Sequence, residues 1–243
     1  KINPLSMIQV KRSTHILIRI GFLSTLMTLV SCSPEYIPNM ANTPMFDSKG
    51  DIQANVSAGV SGYDFQGAYA LTDHVGAMVN TSFKNQTSDT TQDYHKHSIY
   101  ELGLGYYGDL GEYGRYEIFG GFGTGNIQAL NEGLEFDNPY TDAIFSKVFI
   151  QPSIGFKSEV FDANLGTRVA MVKVNYQQTA EGLNEKFQPF AEPVLTGRLG
   201  FKYVKLVSQV GFSIPLTNEY VFDYQPFIIS LGVHFTINTR EFR

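Results

Sequence analysis

The sequence predicts an all-β protein: an antiparallel up-and-down transmembrane β-barrel of ten strands, preceded by a signal peptide. Three observations carry that prediction. From Gly50 onward no helical period appears, and apolar residues alternate with polar ones at period two. The alternating stretches run to about 10–13 residues, longer than the usual globular strand and enough to cross a bilayer, which takes roughly 9–11. The connections between them alternate between short and long. Composition agrees: 23 Gly, 19 Phe and 14 Tyr with only 17% charged residues suit strands and tight turns better than helices.

The first element is the leader. Lys1, Lys11, Arg12 and Arg19 are basic, and no acid precedes Glu35. Ile20 to Val30 form an apolar stretch, too short for a comfortable membrane helix, and small residues follow. Basic head, apolar middle and small end are the parts of a secretory signal peptide. Its end runs into Leu29-Val30-Ser31-Cys32, which contains the only cysteine of the chain.

That tetrapeptide resembles the lipobox of bacterial lipoproteins. The resemblance implies that residues 1–31 are removed and that Cys32 carries a covalent diacylglycerol and acyl modification, a thiolate being nucleophilic enough for the alkylation. Residues 32–49 would then form an acylated N-terminal linker, with the lipid pinning residues 33–49 near the periplasmic mouth of a barrel spanning 50–239. Ser33, rather than Asp, implies outer-membrane retention. The leader holds four of the 18 Lys and Arg and none of the 23 Asp and Glu, so the remainder carries −9 (14 − 23). Such an acidic chain excludes nucleic acid as a partner, because that role needs basic surface.

Strands are predicted near 50–60, 63–72, 75–84, 96–107, 114–126, 144–157, 162–174, 187–201, 204–213 and 224–238. In the first, Ile52, Ala54, Val56, Ala58 and Val60 form one row, with Gln53, Asn55 and Ser57 on the other. In the sixth, Val148, Ile150, Pro152, Ile154 and Phe156 face one way; in the last, Phe227, Ile229, Leu231, Val233, Phe235 and Ile237 do. The connections at Thr72–His74, 109–113, 158–161 and 202–203 are short, and so is Ser61-Gly62, the exception, which falls on the outer side. Those at 85–96, 127–143, 175–186 and 214–222 are long and polar, the asymmetry of a membrane barrel with its long loops outside. The first hairpin is Gly-rich, and its soft boundaries leave eight or twelve strands open.

Residues 66–83, with their Thr-Asp-His turn, and the terminal Gly232, Val233 and Phe235 resemble small outer-membrane β-barrel lipoproteins of the Bacteroidota type. The resemblance covers about residues 44–238 and implies insertion by the barrel-assembly machinery. The chain departs from it by ending "NTREFR" instead of at a terminal aromatic.

If the apolar rows face lipid, the opposite rows place Glu101, Arg115, Glu117, Lys147, Arg168, Glu192, Arg198, Lys205 and His234 in the lumen. Such charges are expected to pair with one another, as a small barrel's core, since an unpaired buried charge is costly. Asp93, His95 and His97 form the one candidate metal cluster, His95 and His97 pointing the same way in an extended chain; a solvated loop is the plainer reading, and no metal or other cofactor is expected. His97 and Ser98 superficially resemble the pair of barrel lipid deacylases, but neighbours on a strand face opposite sides. Glu132, Glu135, Asp137 and Asp142 could imitate the carboxylates of ten-stranded barrel proteases, with no His near in sequence.

The expectation is a non-enzymatic, lipid-anchored outer-membrane barrel with its N-terminus periplasmic. It would serve a structural or accessory role in an envelope complex, with membrane lipid and an envelope protein as partners. A narrow, porin-like diffusion pore for small solutes or ions is the alternative, and an outer-membrane hydrolase a third.

Overall fold

The computed structural model describes residues 34–88, 93–130, 140–176, 185–217 and 221–239; the leader and Cys32 lie outside them. Eleven strand segments follow in order: β1 Asp51–Gly59, β2 Gly62–Ala70, β3 Val75–Thr87, β4 Tyr94–Leu110, β5 Gly114–Leu130, β6 Tyr140–Lys157, β7 Phe161–Tyr176, β8 Glu185–Gly200, β9 Val204–Phe212, β10 Ile214–Pro215 and β11 Phe227–Asn238. Each strand from β1 to β8 pairs antiparallel with the next, β11 pairs with both β9 and β1, and the sheet closes. The two-residue β10 resumes the β9 ladder on β8 in the same register, beyond the point where Pro193 offers no amide. The barrel therefore has ten staves, and every predicted strand is one of them.

The alternation does what it predicts. Ile52, Val56, Val148, Ile150, Ile154, Leu231, Phe235 and Ile237 all face outward, and so do Leu206 (69% exposed), Leu102, Leu104, Phe122 and Leu195. This continuous apolar belt is the surface a transmembrane barrel offers to lipid. A closed sheet is also the only one a bilayer accepts, since it leaves no unpaired edge.

The strands differ in height. β4 to β8 have 16–18 residues, while β1, β2 and β9 have nine. Seventeen residues at about 3.3 Å each, tilted by about 40°, rise well above an apolar band of about 25 Å. The outward row changes character accordingly: above Leu102 and Phe122 come Ser98, Lys96, Asn126 and Gln128, and Lys173 pairs with Glu185 at 2.5 Å. The predicted strands stopped short here because this change in polarity reads as the start of a loop.

Inside the tall wall, Ile99, Ile127, Phe145, Val172, Val174 and Phe190 form an apolar lining. Large inward side chains of β6 lie over inward glycines of β5, Phe149 opposite Gly121, Lys147 opposite Gly123 and Phe145 opposite Gly125. A methyl on Gly123 would sit 2.8 Å from Cγ of Glu101 and 3.4 Å from Cε of Lys147. The glycine run of residues 120–126 thus makes room for the lumen contents.

The β2–β3, β4–β5, β6–β7 and β8–β9 turns share one mouth with the start of β1, and the long connections share the other with the start of β11 and the two-residue β1–β2 turn. Residues 33–49 were expected near the short-turn, periplasmic mouth. The structure places residues 34–46 through the lumen instead: Tyr36, Ile37, Met40, Ala41, Met45 and Phe46 are at most 1% exposed. The cause is visible in "PEYIPNMANTPMF". It carries too many large apolar side chains for a solvated linker, and Pro34, Pro38 and Pro44 keep it extended and outside any ladder.

Candidate functional site

The occupied lumen is the most organised chemical environment among the described residues. Beyond Tyr36 the strap of residues 34–46 crosses it without strand partners, so lumen side chains satisfy its backbone. Gln66 donates to the carbonyl of Met40 (2.9 Å), Gln209 to Ala41 (3.0 Å), Gln151 to Asn42 (2.7 Å), Arg198 to Thr43 (2.5 Å) and Pro44 (3.5 Å), and Lys157 to Met45 (2.8 Å). Every carbonyl from Met40 to Met45 has a lumen donor, as buried backbone requires. Met45 itself sits at φ 56, a left-handed conformation costing about 1–2 kcal/mol for an L-residue. Its amide donates to Glu117 at 2.5 Å, which holds the bend.

At mid-height Asn39 links the strap to a buried ion cluster. Its amide nitrogen donates to Glu101 (2.7 Å), and its oxygen accepts from Lys147 (2.9 Å) and Arg168 (3.2 Å). Glu101 also pairs with Lys147 at 2.6 Å and Arg168 at 3.1 Å, and Glu192 lies 3.7 Å from Arg168. Two acids face two bases. The side chains of Glu101, Lys147 and Arg168 have no solvent exposure, so full pairing is what makes the cluster tolerable. Gln151 accepts from Arg168, whose guanidinium also lies over the Phe149 ring at 4.6 Å.

Toward the long-connection mouth, the Tyr36 hydroxyl donates to Glu192 at 2.6 Å, and its ring packs between Phe145 and Phe190. The connection before β11 folds in over it: Phe222 and Tyr224 pack on Phe190, and Gln225 bonds Ser61 at 2.9 Å. Tyr224 is therefore part of the closure. Tyr107 likewise turns inward, onto Phe46 at 5.0 Å.

At the short-turn mouth, Asp47 pairs with Arg115 (2.9 Å) and Lys157 (2.7 Å), and Arg115 also reaches Asp109 (3.2 Å). Burial pushes the Asp47 carboxyl up, but Lys157 and Arg115 outweigh it and hold the group below the usual carboxylate range. A depressed carboxyl stabilises only while ionised. Its contribution is complete above the unfolded-state value of about 3.9 and fades as pH falls through the lower folded-state value. An Asp47→Asn variant is thus expected to unfold at lower urea than the parent at neutral pH and at the same urea near pH 2. A gap that persists unchanged at the acid end would show that the ion pairs are not its source.

Of the nine charged residues predicted in the lumen, Glu101, Glu117, Lys147, Arg168, Glu192, Arg198, Lys205 and His234 are buried there, and Arg115 sits at the mouth. Lys205 pairs with Asp162 at 2.7 Å, and His234 bonds Thr236 at 3.1 Å. Sequence reasoning paired these charges with one another and missed their second partner, the strap. The apolar residues between its prolines were the signal that could have found it.

His95 and His97 do converge, Nε2 to Nδ1 at 3.1 Å, but Asp93 does not join them in a cluster. Among the described residues no group of three or more His, Cys, Asp or Glu is placed to hold a metal ion. His97 faces the lumen, whereas Ser98 faces outward and bonds Asn126. Glu132, Glu135 and Asp137 lie outside the described residues; Asp142 bonds Tyr140 at 3.2 Å.

No protein-family model matches the chain, and no curated protein matches its sequence. Among solved structures it is similar to the outer membrane protease OmpT from Escherichia coli, at 11% identity and a TM-score of 0.47, over 82% of this chain and 99% of that one. It is also similar to the translocator domain of the autotransporter NalP from Neisseria meningitidis, at 12% identity and a TM-score of 0.45, over 93% and 97%.

Proposed function

We propose that this chain is an outer-membrane barrel sealed by its own N-terminal segment, with a structural or accessory role in an envelope assembly. The observation that carries the reading is the strap: residues 34–46 fill the lumen and are tied to it from mouth to mouth, through Glu192, Glu101, Gln151, Arg198 and Glu117. A diffusion pore needs a continuous aqueous path, and this lumen is occupied by buried, paired groups. The outward apolar belt, the closed sheet and the export leader support the outer membrane as the compartment. The lipobox-like Leu29–Cys32 supports a lipid anchor at Cys32, and barrel-assembly machinery would insert the protein. The separation of His97 and Ser98 onto opposite faces favours a structural role over a hydrolytic one.

The test is solute entry. Proteoliposomes carrying the full chain, transferred into small sugars, are expected to swell no faster than protein-free vesicles. Swelling at the rate of a general porin would overturn the sealed-barrel reading and restore the diffusion pore.

A further inference from the structure

The strap has a direction, and the direction has a consequence. β1 starts at the short-turn mouth, where Asp51 faces Asn238 and Phe46 packs on Tyr107. Followed back toward the N-terminus, the chain climbs the lumen past Glu117, Glu101 and Glu192 in turn. It reaches the opposite mouth at Glu35 and Tyr36, whose amides both donate to the carbonyl of Asp223, at 2.8 and 3.1 Å. The amide of Gln225 returns a bond to the Tyr36 carbonyl at 3.0 Å, and Tyr36 bridges Tyr224 in parallel. Residues 221–226 form the end of the connection from β10 to β11, on the mouth that carries the long connections. Thirteen extended residues at about 3.3 Å each span about 40 Å, enough to cross a hydrocarbon core of about 30 Å.

We infer that the chain preceding Pro34 leaves the barrel through the long-connection mouth, so that the N-terminus, with Cys32 two residues before Pro34, is presented at the outer face of the membrane. This rests on the proposed outer-membrane orientation, with long loops outside. It reverses the periplasmic N-terminus expected from the sequence. An acyl group on Cys32 would then enter the outer leaflet from outside, and the barrel would serve as the conduit that carries its own lipidated end across the membrane. The bonds described above explain why the strap would stay in place. Withdrawing it would strip donors from six carbonyls and separate Asn39 from a buried ion cluster.

Three reporters distinguish this inference from the orientation it rests on. An epitope is inserted before Pro34, another between Ser88 and Asp93 in a long connection, and a third at Glu112 in a short turn, each in an otherwise complete chain. Folding is checked by heat-modifiable gel mobility. On intact cells, antibody is expected to reach the first two and to reach Glu112 only after permeabilisation. Labelling at 88–93 with the epitope before Pro34 hidden until permeabilisation would overturn the inference and leave the orientation standing. Labelling at Glu112 on intact cells would overturn the orientation, and the inference with it. Should the first insertion prevent folding, Glu35→Cys probed with a membrane-impermeant maleimide reads the same position. Modification on intact cells, above that of the parent chain, is expected; modification only after lysis would overturn the inference.

Discussion

Replacing Glu101 with alanine is expected to cost about 3–5 kcal/mol of barrel stability, the range for breaking a buried ion pair by removing one partner. Glu101 is the one acid that touches both Lys147, at 2.6 Å, and Arg168, at 3.1 Å, and neither cation has any exposure to water. Once it is gone, Glu192 remains 3.7 Å from Arg168, and two positive charges share that single carboxylate in a low-dielectric interior. The strap loses the carboxylate that accepts from Asn39, and the Asn80 amide nitrogen loses its acceptor as well. Urea unfolding in detergent micelles, followed by gel mobility, checks the size of the effect. A loss under 1 kcal/mol would mean that water reaches the cluster.

The second large effect concerns permeation. A chain in which residues 36–46 are replaced by Gly and Ser at equal length is expected to let small sugars through in the swelling assay. The replacement removes Tyr36, Ile37, Met40, Met45 and Phe46, which fill the lumen, together with Asn39, which ties the strap to the ions. What remains is a thin segment held only through its backbone carbonyls, too slight to fill the space inside the wall. A variant that folds by gel mobility yet stays impermeable would show that the wall side chains seal the barrel by themselves.

Much of the fold was legible in the sequence because a membrane barrel imposes its rule at every residue. Alternation along β1, β6 and β11 assigned both faces correctly, since one face meets lipid and the other meets polar groups. The inward charges followed from the same parity, without knowledge of their partners. The strand ends above the belt did not follow. There the exterior turns polar at Lys96, Gln128 and Asp142 while the interior turns apolar at Ile99, Ile127 and Phe145, so hydropathy inverts along one continuous strand. The strap was illegible for a different reason. Nearly all its contacts are distant in sequence, such as Tyr36 with Glu192 and Thr43 with Arg198, and it follows no period, because it is bound as an extended ligand would be. Nor does position near a strand end say which way a ring points: Tyr107 turns in onto Phe46 and Tyr224 onto Phe190.

The central claim is that the N-terminal strap closes the lumen, and single-channel recording in a planar bilayer tests it most directly. The intact chain is expected to insert and remain silent, and the chain with residues 36–46 replaced to show discrete current steps. Steady, discrete steps from the intact, correctly folded chain would contradict it.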